Sequence, residues 1–188
     1  MERGKSVWGC LGSNHSDKLE FRGAKAMDKG INSFVSAYQE QIRTGDIQKT
    51  YAFLLKYVMQ IKASIEKQFS KKYSFGNVFQ GYLDYFYFSN DYLRSKKLRF
   101  GIVLNHSEMR FELWLFGQNK KIQDKYWNIL KTSPWNQGRT TKPQYSVLEI
   151  VLIDNPDFEN IDELTAKILN RVVVEVDSII AYLMEQER

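Results

Sequence analysis

One stretch of alternating residues, from Leu98 to Gly117, constrains the fold more than any other. On each side of the polar segment Asn105–Glu108, every second residue is apolar. Because neighbouring side chains of a strand point to opposite faces, this pattern predicts two strands, each with one apolar face. A polar connection of this length most often joins antiparallel neighbours, so the stretch predicts a hairpin. The apolar positions are Leu98, Phe100, Ile102 and Leu104, then Met109, Phe111, Leu113 and Leu115.

The rest of the chain supplies helices and strands that can cover the apolar face of this hairpin. The element order is α-α-β-β-β-α-β-α, which predicts a single α+β domain over residues 31–188, with a four-stranded, mostly antiparallel sheet packed by long helices. The last strand follows a helix, and a crossover of that kind usually makes a strand parallel to its neighbour. Helices are predicted at 31–43, 47–70, 120–131 and 161–185, and further strands at 82–88 and 145–153.

The first thirty residues have no sustained periodicity, and we expect residues 1–30 to be a disordered tail. Met27 directly precedes the first periodic segment and is a candidate natural start, which would make residues 1–26 an extension that does not belong to the native protein. No apolar run reaches the ~18 residues of a membrane span, and the N-terminus lacks the apolar run of a signal peptide. Cys10 is the only cysteine, which excludes an internal disulfide. We therefore expect a cytoplasmic protein.

The net charge of +5 is unevenly distributed. Residues 154–188 contain nine acidic and three basic residues, so the rest of the chain is strongly basic. Such a surface can attract nucleic acid or another polyanion. A solvated basic surface is the commoner explanation, because no recognised nucleic-acid motif accompanies the charge. The basic clusters are Lys67–Lys72, Arg94–Arg99, Lys120–Lys125 and Arg139–Lys142.

Polar residues collect on the other face of the predicted sheet if the strands align by their apolar halves. Three carboxylates and two guanidinium groups on neighbouring strands could bind a charged ligand or a divalent metal, or they could form cross-strand ion pairs on a solvated face. In the hairpin turn, His106 and Glu108 could form an acid/base or metal pair, or be ordinary exposed turn residues. The candidate residues on the sheet are Asp84, Arg99, Arg110, Glu112, Trp114 and Glu149.

The order of helix, three strands, helix and strand resembles the core of restriction-endonuclease-like nucleases. That resemblance implies an Asp on one strand and a Glu-x-Lys on the next, which hold magnesium in the family. Here Trp114 follows Glu112 at the position of the lysine, and Gly101, Val103 and Asn105 provide no acid on the preceding strand. The resemblance therefore implies a nuclease-like scaffold without its metal site, or a degenerate metal-dependent nuclease.

Several segments together resemble a family of small, uncharacterised bacterial proteins known only as a domain of unknown function. They recur in order over about residues 31–183, and the resemblance implies one domain but no activity, cofactor or site. The segments are Gly45–Lys49, Phe79–Asp84, Val103–His106, Arg110–Trp114, Lys125–Trp127 and Asp154–Phe158.

These observations favour a non-catalytic cytoplasmic domain that binds a ligand or a protein partner on the polar sheet face. A degenerate nuclease and a polyanion-binding protein are the alternatives. No motif for a cofactor, a phosphate-binding glycine loop or a catalytic nucleophile is present in the sequence, so the ligand, any cofactor and the oligomeric state stay open.

Overall fold

The computed structural model of the protein describes residues 30–187, in which five helices and five strands are found. The predicted disordered tail and the candidate start at Met27 fall on residues that lie, apart from Gly30, outside this range. In chain order the elements are α1 (Ile31–Arg43), α2 (Asp46–Phe69), β1 (Ser74–Phe79), β2 (Leu83–Ser89), α3 (Asp91–Ser95), β3 (Leu98–Asn105), β4 (Arg110–Gly117), α4 (Lys120–Leu130), β5 (Leu148–Ile153) and α5 (Ile161–Gln186).

The chain divides after Thr44 into two units, and α1 belongs to the first of them. Apolar side chains recur along α1 at helical spacing, as the sequence predicts, and none of its residues is buried. The second unit begins at Gly45, whose φ of 80° is the left-handed conformation that glycine adopts without steric cost. This second unit contains the sheet and the other four helices of the described residues.

The sheet has five strands in the order β1-β2-β3-β4-β5, and every neighbouring pair is antiparallel. Two sequence predictions are therefore wrong: the sheet does not have four strands, and β5 is not parallel to its neighbour. The additional strand, β1, lies between the predicted helix at 47–70 and the predicted strand at 82–88, where the sequence predicts no element. Its register shifts between Phe75 and Val78, where Gly76 and Asn77 interrupt the apolar pattern. The predicted hairpin of β3 and β4 forms over its whole length, from Leu98 opposite Gly117 to Asn105 opposite Arg110.

One face of the sheet carries the core of the second unit. The register places Phe86, Ile102, Leu113 and Ile150 side by side across four strands. The long helices α2 and α5 pack on this face, and the Tyr57 ring of α2 meets a phenyl ring of β4 edge-on. Burial of each large apolar side chain contributes roughly 1.5–3 kcal/mol, so this face holds the fold together. We call it the core face, and we call the opposite side of the sheet the second face.

Within residues 30–187, every helix is too short or too polar to span a membrane.

Candidate functional site

The second face brings together five of the six candidate residues on the strands. The register aligns Trp114 with Glu149 on one side and, through Gly101, with Tyr87 on the other. Glu112 lies opposite Val103 and Val151, two residues further along the strand. Because alternate residues share a face, these rows define the second face. The candidates on it are Arg99, Arg110, Glu112, Trp114 and Glu149.

Asp84 is the exception, and its predicted position on the second face is wrong. It lies opposite Leu104, which in turn lies opposite Phe111, so its side chain points to the core face. Period-two alternation puts Asp84 on the side of Phe86 and Phe88, which are the buried aromatic residues of β2.

The buried carboxylate of Asp84 is held by three donors at the end of the core face. The exposed fraction of Asp84 is 0%. Its Oδ1 accepts hydrogen bonds from the Tyr51 hydroxyl at 3.3 Å and from the Gly81 backbone N–H at 3.2 Å, and its Oδ2 lies 3.1 Å from Nε2 of His106. Burial, followed by the charge of Asp84 and the hydrogen bond to it, raises the pKa of Tyr51. These contacts connect α2 to β2 and the hairpin turn.

The pair predicted from the hairpin turn, His106 with Glu108, is divided between two partners. His106 contacts Asp84, while Glu108 lies 3.9 Å from the guanidinium of Arg110. The turn itself is closed by Asn105, whose Oδ1 accepts hydrogen bonds from the backbone N–H groups of residues 107 and 108. This side-chain-to-backbone pattern explains why a polar segment of four residues makes a defined turn.

Glu112 is the buried carboxylate of the second face, with an exposed fraction of 2%. Arg110 Nε donates a short hydrogen bond to Oε1, and Asn105 Nδ2 donates a longer one of 3.4 Å to the same atom. Oε2 accepts a 2.6 Å hydrogen bond from the indole Nε1 of Trp114. The hydrogen bond to Glu112 raises the pKa of Arg110. Both oxygens of this carboxylate are therefore engaged by protein donors, and they fix the orientation of the Trp114 side chain.

Glu149 on β5 has its own partners. Ser146 Oγ donates to Oε1 at 2.8 Å, and Arg139 approaches Oε2 at 3.1 Å. The side chain is 21% exposed, so this group is more accessible to water than Glu112. Among residues 30–187, no group of three or more His, Cys, Asp or Glu side chains is arranged to hold a metal ion.

Five aromatic side chains form a connected surface on the second face, which we call the aromatic surface. Phe79 stacks on Tyr85 with the ring centroids 5.0 Å apart and the planes inclined by 14°. Tyr85 lies 5.8 Å from Phe116, and Phe116 lies 5.7 Å from Trp114. Tyr87 stacks on Phe79 at 5.9 Å. Phe79 is 44% exposed although it is large and apolar, so this surface is accessible at the β1 edge of the sheet.

Two glycines allow rings of this surface to lie against the backbone of the sheet. A Cβ atom on Gly101 would lie 2.5 Å from the ring of Phe116, and a Cβ on Gly76 would collide with the ring of Tyr87. Without side chains at these two positions, each ring rests on the backbone of a neighbouring strand. The Tyr87 ring covers Gly76 with its flat face, whereas the Phe116 ring points an edge at Gly101.

Arg99 adds a positive charge to the aromatic surface. Its guanidinium carbon lies 4.5 Å from the centroid of the Tyr87 ring and 6.0 Å from that of Phe116. Both distances are within the range of cation–π attraction. The ion pairs within residues 30–187 do not include Arg99. Arg99 is thus a half-buried cation held by rings and not by a carboxylate.

Two basic clusters of the sequence meet at one end of the sheet. Leu98, the first residue of β3, lies opposite Gly117, the last residue of β4, and the N–H of Gln118 donates to the carbonyl of Lys97 at 3.0 Å. The segments that contain Lys97 and Lys120 are therefore neighbours. We call Lys97, Arg99, Lys120 and Lys121 the basic end, and none of the ion pairs in the described part of the chain involves them.

The sequence candidates omit most of the aromatic surface. Tyr85 and Tyr87 alternate with two phenylalanines in β2, and this double alternation of aromatic residues indicates a strand with rings on both faces. Phe79 lies between the predicted helix at 47–70 and the predicted strand at 82–88, and Phe116 follows the apolar run of β4. Tyr51, which donates to Asp84, is also absent from the sequence candidates.

The comparisons with known proteins identify a family and no relative of known activity. The family described as Domain of unknown function (DUF7000) matches residues 31–183. No curated protein and no solved structure matches the chain.

Proposed function

Since the chain belongs to the DUF7000 family, a domain of unknown function, we propose its function from its own geometry. We propose that it is a non-catalytic domain that binds a ligand or partner on the second face of its sheet. The observation that carries this proposal is the aromatic surface with Arg99 held above it. Aromatic residues and arginine are the side chains that contribute most to binding at protein interfaces. They bury a large area at a low cost in conformational entropy, and they are found here on one accessible face.

The carboxylates of the second face are fixed in position by the protein. Glu112 is engaged by donors from Arg110, Asn105 and Trp114, and Glu149 by Ser146 and Arg139. Each oxygen of the two carboxylates accepts at least one of these contacts. We therefore assign Glu112 and Glu149 the role of holding the surface in shape.

The charge of Arg99 indicates which ligands fit. A guanidinium without a carboxylate partner attracts anionic groups, and its planar surface also stacks on rings. A planar ligand with a negative charge can satisfy both the aromatic surface and Arg99. Aromatic carboxylates and nucleoside monophosphates are the simplest compounds of this class.

Ligand-observed NMR with a library of such planar anions tests the proposal. Wild-type protein is compared with Phe79→Ala and Arg99→Gln, which alter the second face. Tyr145→Ala removes a ring that is 59% exposed outside the strands, and Lys56→Gln removes an exposed cation of α2 on the side of the core face, so these are the matched controls. We expect bound compounds to lose their signal with the two face variants and to keep it with the controls. Binding that persists in both face variants would contradict the proposal.

A further inference from the structure

We infer that the ligand of the second face is single-stranded nucleic acid, with bases stacked on the aromatic surface and phosphates at the basic end. This inference rests on the proposed function and names its ligand. Two features carry it: an aromatic stack that ends at an exposed ring, and the position of unpaired cations beside it.

The exposed aromatic stack is the first feature. Phe79 and Tyr85 are nearly parallel, with their ring centroids 5.0 Å apart, and the stack ends at Phe79, which is 44% exposed. A base stacks on such a ring through its own flat face, and this contact requires no particular sequence.

The aromatic surface runs across the strands and not along one of them, because the rings that contact one another belong to β1, β2 and β4. Phe79 is exposed, the rings of Tyr85, Tyr87 and Phe116 are half-buried, and Trp114 is buried, so bases can reach this surface from the β1 edge. Sheets that stack two or three bases on aromatic residues of adjacent strands are an established mode of RNA recognition.

The second feature is the basic end beside the aromatic surface. Arg99 is shared by both, because its guanidinium lies over the Tyr87 ring at the beginning of β3. Lys97 precedes it by two residues, and Lys120 and Lys121 follow the neighbouring strand. Phosphate groups are recognised mainly by Lys and Arg side chains without carboxylate partners, since a paired cation must first give up its ion pair.

The stacking contacts select a single strand over a duplex. In a duplex both flat faces of each base are covered by neighbouring bases, so the rings of the second face could meet only the backbone or the groove. In a single strand the bases are free to stack on protein rings. We therefore expect a clear preference for single strands over the same sequence as a duplex.

Fluorescence anisotropy tests this inference with a labelled oligothymidine and with its duplex. The oligothymidine has about 12 nucleotides, because a single binding module typically covers ~4–16 nucleotides. We expect Phe79→Ala to weaken binding of the single strand about tenfold, which corresponds to ~1.4 kcal/mol. Tyr145→Ala, the matched control, should leave it unchanged. Lys97→Gln with Lys120→Gln should weaken binding and reduce the slope of log affinity against log salt by about 1.4, because each phosphate contact contributes ~0.7 on a single strand. Phe79→Leu, which keeps an apolar side chain without a ring, separates loss of stacking from loss of packing.

Three results would overturn the inference. The first is oligothymidine binding that depends on salt but is insensitive to both Phe79 variants, because charge alone would then explain it. The second is binding to the duplex as tight as to the single strand. The third is the absence of oligothymidine binding while planar anions still bind in a manner that depends on Phe79 and Arg99. In that third case the nucleic-acid assignment fails and the proposed function of the second face stands.

Discussion

Arg110→Ala offers the sharpest test of how the second face is built. In the wild type, Arg110 neutralises Glu112, whose side chain is 3% exposed. The substitution leaves that carboxylate buried, with donors only from Asn105 at 3.4 Å and Trp114 at 2.6 Å. Loss of one partner of a buried ion pair typically costs about 3–5 kcal/mol. Because the Arg110 side chain is 31% exposed, water can enter the space that it leaves and solvate part of the Glu112 carboxylate. We therefore expect a loss of unfolding free energy at the lower end of that range, about 3 kcal/mol.

Urea unfolding followed by circular dichroism measures this cost, and two further variants identify its cause. Arg139→Ala removes an arginine of the more exposed pair with Glu149, and it should cost less than about 1 kcal/mol. Glu112→Gln in the Arg110→Ala background removes the unpaired charge and should restore part of the lost stability. Equal costs for Arg110→Ala and Arg139→Ala, or a double variant less stable than Arg110→Ala alone, would refute the reasoning.

Three other predictions concern single contacts. Burial, followed by the charge of Glu187, raises the pKa of Tyr92 from 10.0 to about 12. The Tyr92 hydroxyl therefore contributes its full stability below pH 10, and that contribution is lost as the pH rises towards 12. Tyr92→Phe should reduce the loss of melting temperature between pH 10 and pH 12. Tyr51→Phe removes the hydrogen bond to Asp84 and should cost about 1 kcal/mol in urea unfolding. Gly101→Ala places a methyl group 2.5 Å from a phenyl ring and should cost about 1–3 kcal/mol, whereas a neutral result would show that the ring moves away freely.

The direction of β5 is an exception to the rule that a strand after a helical crossover is parallel to its neighbour. A helix after a strand usually returns the chain to the far end of the sheet, which makes the next strand parallel. Here α4 has 11 residues and advances only about 16 Å, and the segment after it returns to the end of β4. The N–H of Val147 then donates to the carbonyl of Leu115 at 2.7 Å, so β5 enters where β4 leaves. The sequence contains the helix but does not show the return path of its loop.

The local patterns, by contrast, predict the structure well wherever alternation is strict. The hairpin of β3 and β4 and the helices α2 and α5 follow directly from their apolar periodicity. Asp84 had the same signal, because it alternates with Phe86 and Phe88, but a charged residue in a core row is rare and was assigned to the polar face. β1 was missed because Gly76 and Asn77 interrupt its pattern at the bulge. The meeting of the two basic clusters depends on register, which no single segment of the sequence specifies.

The buried charge of Glu112 is the strongest sign that the second face is more than a covering for the sheet. An apolar residue of similar volume at this position would usually give equal or greater stability, since burial of an ion pair carries a large desolvation cost. The pair instead fixes the indole of Trp114 through a 2.6 Å hydrogen bond, and Trp114 in turn contacts Phe116 above Gly101. Rings that are fixed before binding lose little conformational entropy when a ligand is bound. A costly polar group that holds aromatic rings in place therefore supports the proposed binding surface.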